Sequence, residues 1–374
     1  MISSLMNTSR TGAGRPSVLL DMRPLQGPSA GRGVGAYARG LLKGLIAAGF
    51  DSQLTLLLDV AFDAPALPVG AYGLAGCRRR SHGQLAAYED AVVLNRDIQR
   101  IGPDIYHAID FHLPGRSPCP MVVTLHDLIP WAWRGRGMQG ERFRYGLFRR
   151  LLPRADAVIA VSRATADDAA RLRLPARPRL RVIPEAADPV FSPREGARMR
   201  VMERWGLADP YLLFVGALDA RKDPATLLAA WKTARGAIAD LKLVVAGDPG
   251  RQAPPTMGGA VQVGRVDDEA LADLYSAAGC LVFPSRYEGF GLPCVEAMAC
   301  GCPVAAFRNS SMPEVVGDAG LLVDDGDGEA LGRTAVEMMR DRERWKRAGL
   351  QRARKFSWKQ AARDTISAYE SLLR

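Results

Sequence analysis

Short apolar runs separated by helix-spaced segments recur along almost the whole of this chain, and the series runs twice. Residues 18–22, 53–59, 104–109, 121–127, 157–162 and 180–185 read as strands, with helices at 36–48, 84–101, 138–152 and 163–173 between most of them. A charged, proline-bearing stretch follows at 184–209, with a helix around 195–205. The alternation then restarts. Strands are expected at 211–216, 241–247, 261–266, 280–285, 304–307 and 321–324, and helices at 225–234, 268–278, 293–300 and 329–340. Apolar strands alternating with helices call for a parallel sheet with both faces covered. At 374 residues the chain also exceeds one ordinary core. The expected architecture is α/β: two Rossmann-like doubly wound domains facing across a cleft. Residues 1–190 would form the first domain and 191–357 the second. A last helix, 358–374, carries Ala361, Ile366, Tyr369, Leu372 and Leu373 on roughly one face. Ligands of such sheets bind beyond the carboxyl ends of the strands, so the strand exits are where chemistry is to be sought.

Composition narrows the classes. No apolar run approaches the ~18 residues that span a bilayer, and residues 1–16 are small and polar, without the apolar core of a signal peptide. The six cysteines form no paired framework, which suits the reducing cytoplasm. A net charge of +10 attracts anionic ligands, nucleotides and anionic membrane surfaces. The positive charge is scattered and no nucleic-acid-binding motif is present, so nucleic acid is not an expected partner. No Asp-x-Asp cluster near a strand end announces a metal.

The most specific segment is Ser285-Arg286-Tyr287-Glu288-Gly289-Phe290-Gly291-Leu292-Pro293-Cys294-Val295-Glu296. An apolar strand feeds into it. A short helix leaves it, opened by Pro293 and closed by Gly301. Two carboxylates, Glu288 and Glu296, therefore flank a strand-to-helix turn. Backbone amides at Gly289, Phe290, Gly291 and Leu292 point out of a helix start, which suits a phosphate. Upstream, Gly216 ends the first strand of the second half, and Arg221 and Lys222 follow just before a helix. Two adjacent cations at a strand end can hold a diphosphate, although a solvated loop pair is the plainer reading.

In the first half, Gly31-Arg32-Gly33-Val34-Gly35 opens a helix. Gly33 and Gly35 allow close backbone approach to a ligand, but the spacing and the lack of a matching acid argue against a dinucleotide site. His126 ends a strand at its carboxyl end and is the best candidate of four histidines; Asp110, His112 and His107 lie near another strand end. Arg265 and Val266 follow the strand at 261–266, where Asp267 or Asp268 caps a helix. Residues 131–154 mix Trp131 and Trp133 with many arginines. That stretch reads equally as a core-facing helix with a solvated basic face, or as a docking element for an anionic membrane.

The segment from Glu288 to Glu296 resembles the paired-glutamate signature of retaining glycosyltransferases of family 4, which have the GT-B fold. The resemblance continues through Glu296–Val304 and Ser311–Gly320 and covers nearly the whole chain. It implies a metal-independent transfer of a hexose from a nucleotide-diphosphate sugar, with no further cofactor. The residues it carries over are Arg221 and Lys222 on the diphosphate, Glu288 on the sugar, Glu296 on the ribose and His126 on the transferred sugar. Gly33 and Gly35 would lie beside the diphosphate, and the backbone at Arg265 and Val266 would meet the base. Ala217 departs from the family pattern, where many members carry arginine. Members with a closely similar Ser-Arg-Tyr-Glu-Gly-Phe-Gly-Leu-Pro stretch are often mannosyltransferases of polysaccharide or O-antigen assembly. GDP-mannose is thus the expected donor, and a glycan or lipid-linked molecule the acceptor. A cytoplasmic location follows, peripheral on the membrane's inner face if residues 131–154 dock there. The rival readings are a sugar-nucleotide epimerase or phosphorylase of the same fold, or a non-catalytic scaffold subunit. The resemblance also implies that the last helix crosses back to the first domain.

Overall fold

The structure, a computed structural model, describes residues 15–27, 30–31, 33–79, 84–133, 145–173, 179–207, 210–248 and 259–374. The chain divides into two compact units. The first is Met1–Glu185 together with Trp358–Arg374, and the second is Ala186–Ser357. The change of unit thus falls slightly before residue 190.

The first unit is built on a seven-stranded parallel sheet. Its strands are β1 (Val18–Asp21), β2 (Leu54–Asp59), β3 (Gly73–Cys77), β4 (Ile105–Ala108), β5 (Met121–Leu125), β6 (Ala157–Ala160) and β7 (Arg179–Val182), in the order β3-β2-β1-β4-β5-β6-β7. Every residue of β1, β4, β5 and β6 is buried, as expected where helices cover both faces. β3 is absent from the sequence reading. Its segment, Gly-Leu-Ala-Gly-Cys, has two glycines and no β-branched residue, so nothing local favours a strand. It forms because β2 offers an open edge, pairing Thr55 with Gly73 through to Asp59 with Cys77.

The second unit repeats the plan with six parallel strands: β8 (Tyr211–Val215), β9 (Lys242–Ala246), β10 (Val261–Gly264), β11 (Cys280–Phe283), β12 (Val304–Phe307) and β13 (Leu321–Val323). The order is β10-β9-β8-β11-β12-β13. In each sheet the order reverses beside the first strand, between β1 and β4 and between β8 and β11. Those reversals open the crevices in which doubly wound sheets take ligands. The helix Arg342–Ala353 also escapes the sequence reading. It is strongly polar, and only Trp345, Gly349 and Ala353 are buried, with Gly349 closely packed on Met298.

The helix Trp358–Glu370 packs on the helix Gly33–Ala47 within the first unit. Gly40 and Gly44, one turn apart, make the groove. A Cβ on Gly40 would lie 2.1 Å from the Trp358 ring, and one on Gly44 would lie 2.4 Å from the Trp358 carbonyl oxygen.

The stretch at 131–154 is only partly described, since 134–144 fall outside the described residues. In the helix Gly146–Leu151, Phe148 and Leu151 are buried in the first unit's core while Arg149 and Arg150 are exposed. In the described part Phe148 and Leu151 are thus committed inside the unit, and Arg149 and Arg150 form its exposed basic face. Among the described residues no helix is long and apolar enough to cross a membrane.

Candidate active site

The chain leaves β8 through Gly216 with φ +137°, a conformation that suits glycine. A Cβ on Gly247, at the exit of β9, would come 2.4 Å from Gly216 O, so these two exits touch backbone to backbone. Asp219 then organises the turn Ala220–Lys222: its Oδ1 accepts the amides of Arg221 and Lys222, each at 3.0 Å. Arg286 N donates to Arg221 O at 2.9 Å, which ties the exit of β8 to that of β11.

Three donors converge on one carboxylate oxygen there. Glu288 Oε1 accepts from Lys222 Nζ at 2.5 Å, from Arg221 Nη1 at 2.7 Å and from the Ser285 hydroxyl. Arg221 Nη1 also donates to Tyr287 O at 2.8 Å. Lys222 is buried, with its ammonium 4.2 Å from the centre of the Phe283 ring. Burial alone would raise the Glu288 pKa. Arg221 and Lys222 outweigh it and hold the carboxyl down at about 2, so Glu288 is ionised at neutral pH. Burial, and the neighbouring Arg221 charge, push Lys222 the other way, below the ordinary lysine value. Glu288 faces both cations, and the second negative charge comes from Asp219. Asp219, half exposed, stands 3.9 Å from Arg221.

The loop bearing Glu288 is pinned from beyond β12. Ser310 Oγ accepts Glu288 N at 3.0 Å, and Ser311 Oγ donates to Phe290 O at 2.7 Å. The helix Leu292–Ala299 begins at Gly291, with φ +104° and no side-chain cap; Pro293 lies in its first turn and Gly301 beyond its end has φ +74°. A Cβ on Gly291 would meet Met312 Cε at 2.3 Å. Gly289, Phe290 and Leu292 line this turn, and Phe290 and Leu292 are buried. Glu296 lies further along the helix, and its Oε2 accepts from Tyr275 at 3.0 Å. Arg265 is exposed and Val266 half buried past the end of β10, an edge strand. Asp267 caps the helix that follows, accepting Ala270 N.

The remaining candidates belong to the first unit. Gly33 and Gly35 do not lie in a loop. The helix begins at Gly33, so both sit in its first turn. His126, just beyond β5, has both ring nitrogens engaged: Nε2 with Ile109 O at 2.9 Å and Nδ1 with Glu185 Oε1 at 3.3 Å. His107 lies within β4, fully buried between Tyr369 Oη at 2.6 Å and Thr124 Oγ1 at 2.9 Å, and burial takes its pKa down to about 3.

At the crevice between β1 and β4 the side chains close on one another. Arg23 Nε donates to Asp21 at 2.8 Å and its Nη1 to Asp90 at 2.7 Å; Arg79 and His112 hold the other Asp90 oxygen at 2.8 Å and 3.1 Å. Tyr106 donates to Asp21 at 2.8 Å. The sequence reading picked out His112 and none of its companions. It also passed over Asp219, although an Asp two residues ahead of a turn is a recognisable signal. Glu185 gave no local signal at all. Among the described residues no group of three or more His, Cys, Asp or Glu side chains is placed to hold a metal ion.

Comparison with known proteins agrees with this layout. Residues 31–191 match the family model described as Glycosyltransferase Family 4, and residues 209–341 the model described as Glycosyl transferases group 1. O-antigen chain mannosyltransferase B of Escherichia coli is 32% identical over 286 residues, covering 72% of this chain and 74% of that protein. The serotype-specific mannosyltransferase WbdA of Escherichia coli is 24% identical across 95% of this chain, which spans only 48% of WbdA. Among solved structures, sucrose-phosphate synthase from Thermosynechococcus elongatus superposes with a TM-score of 0.79 at 24% identity, over 96% of this chain and 99% of that one. That likeness speaks for the fold, and the relative at 32% identity speaks for the family. With two parallel α/β units of the GT-B kind and matches along both, this chain belongs to glycosyltransferase family 4.

Proposed function

We propose that this glycosyltransferase moves mannose from GDP-mannose to a growing glycan or lipid-linked acceptor in polysaccharide or O-antigen assembly, with retention at the anomeric carbon. The likeness to O-antigen chain mannosyltransferase B supports the sugar and the acceptor class. The observation that carries the chemistry is the convergence of Arg221 and Lys222 on Glu288 between the exits of β8 and β11.

Breaking the bond between sugar and diphosphate moves negative charge onto the phosphate oxygens. Fixed cations at that point stabilise the transition state more than the ground state. Arg221 and Lys222 are those cations in this reading, and the amides around Gly291 add hydrogen bonds. Glu288 keeps the two side chains aimed at the crevice and accepts from hydroxyls of the transferred sugar. Glu296 takes the ribose, and Arg265 and Val266 meet the base. The resemblance adds His126 on the oxocarbenium-like sugar and the helix start at Gly33 and Gly35 on the diphosphate. The acceptor attacks from the side that the diphosphate leaves, and the departing phosphate takes its proton.

The test is turnover of GDP-mannose, UDP-glucose, UDP-N-acetylglucosamine and UDP-galactose by the purified chain, with Lys222→Ala and Glu288→Ala as controls. Selective use of GDP-mannose, lost in both variants, is the expected result. Selective use of another donor refutes the mannosyl assignment, and activity that survives both substitutions refutes the site.

A further inference from the structure

The bonds around His126 specify where its protons lie. Ile109 O can only accept, so Nε2 carries a hydrogen. A neutral ring then has a bare lone pair on Nδ1, and an ionised carboxylate has nothing to donate. The 3.3 Å contact between Nδ1 and Glu185 Oε1 is a hydrogen bond only if a proton lies between them, whichever partner owns it. The setting makes the alternative costly: Glu185 is buried, the His126 side chain is 14% exposed, and a bare carboxylate facing a lone pair would go uncompensated. Tyr37 presses on the ring edge-on, with centroids 4.8 Å apart at 89°. Tyr37 is itself held by Thr124 at 3.1 Å.

We propose that Glu185 is the positioning residue for His126: it shares a proton with Nδ1, locks the ring between Glu185 and Ile109, and makes the pair neutral overall at the carboxyl end of β5.

The charged and titratable groups facing the pair favour keeping that proton. Asp110 acts on His126 and Asp127 on Glu185; Tyr37, pushed up by burial and by Glu185, stays neutral, as does His107 in its buried site. Burial would lower the His126 pKa, but Glu185 and Asp110 outweigh it and the net direction is upward. Burial raises Glu185 as well. Both directions describe a pair that gives up its proton late as pH rises. The claim about the transfer step rests on the glycosyltransferase reading above; the shared proton does not.

The experiment is a histidine-selective 15N NMR titration of the full chain, with the His126 signal assigned from a His126→Gln variant. Wild-type protein should keep His126 doubly protonated or proton-sharing at pH 7. Its midpoint should fall by about one pH unit or more in Glu185→Gln and be retained in Glu185→Asp. In transfer assays Glu185→Gln should lose about 10- to 100-fold in kcat with donor KM unchanged, and its pH–rate profile should shift to lower pH with the midpoint. An ordinary His126 midpoint in the wild-type chain, or the same midpoint in Glu185→Gln, overturns the shared proton. A midpoint that moves while kcat and the pH profile stay put overturns the positioning role. If the wild-type chain turns over no donor, the transferase reading falls and takes the positioning role with it, while the titration still decides the shared proton.

Discussion

The two sheets share a strand order, β3-β2-β1-β4 in one and β10-β9-β8-β11 in the other, yet their crevices are filled in opposite ways. Between β1 and β4, Asp21 and Asp90 meet Arg23 and Arg79, with His112 and Tyr106 completing the bonds. Charge is balanced and the carboxylate oxygens are taken. Between β8 and β11, two cations crowd on one carboxylate oxygen, and the carboxylate that balances them, Asp219, is half exposed and 3.9 Å from Arg221. The first arrangement holds its own elements together. The second buries Lys222 and Glu288 at a desolvation cost and leaves its other counter-charge loosely held. Topology places the crevice, and side-chain chemistry decides whether it is closed or open for a ligand.

The comparison can be broken most sharply in the first unit. Arg23→Met leaves two buried carboxylates short of their shared cation and should cost about 3–5 kcal/mol in denaturant unfolding. Donor binding should persist at temperatures where the variant is folded. A loss below about 1 kcal/mol would mean that the network does not hold the unit. In the second unit, Lys222→Ala should lower kcat by about 10²–10³ with little change in the unfolding midpoint, because Arg221 still compensates Glu288. A stability loss matching that of Arg23→Met would make the two crevices alike after all.

Gly40→Ala probes the groove that seats the last helix. The added methyl meets the Trp358 ring and should cost about 1–3 kcal/mol, visible in the melting temperature and in Trp358 fluorescence. The smallest effect is a difference in acid response. His107 has its pKa lowered by burial to about 3, so its contribution is intact above the unfolded value near 6.5 and erodes as pH falls toward 3. Between pH 6.5 and 5.5 the loss is about 1 kcal/mol. Glu288, depressed to about 2, contributes fully above 4.5 and loses its share only between 4.5 and 2. The His107 contribution should therefore erode at a higher pH than the Glu288 contribution. Hydrogen exchange resolved by segment across this range checks the order.

Much of this was legible from the residues. Strand runs such as Val304–Phe307 and the helix Gln84–Ile101 came out with the bounds read from the sequence, because buried parallel strands and amphipathic helices carry strong patterns. The turn through Glu288 and Gly291 was legible for a similar reason: Pro293, Gly291 and Gly301 mark backbone conformations that few other residues adopt. β3 was not legible, because its strand character comes from the edge it joins. The polar helix Arg342–Ala353 likewise owes its existence to packing on Met298. At the site, Lys222 and Glu288 stood out by their place at strand ends. The sharing of Glu288 Oε1 by both cations did not, since residues 66 and 67 positions apart have no local way of announcing a contact.

By itself the sequence determined the class of fold and the doubling of the α/β series, because these follow from periodicity, and its turn of neighbouring glycines and carboxylates resembles the signature of the family. Tertiary structure decided which polar groups are paired. It closed Asp21, Arg23 and Asp90 into a balanced network, gathered Arg221 and Lys222 on Glu288, and brought Glu185 to His126 across 59 residues. Those outcomes depend on where parallel strands end relative to one another, and strand register is settled by long-range pairing rather than by any stretch of sequence read alone.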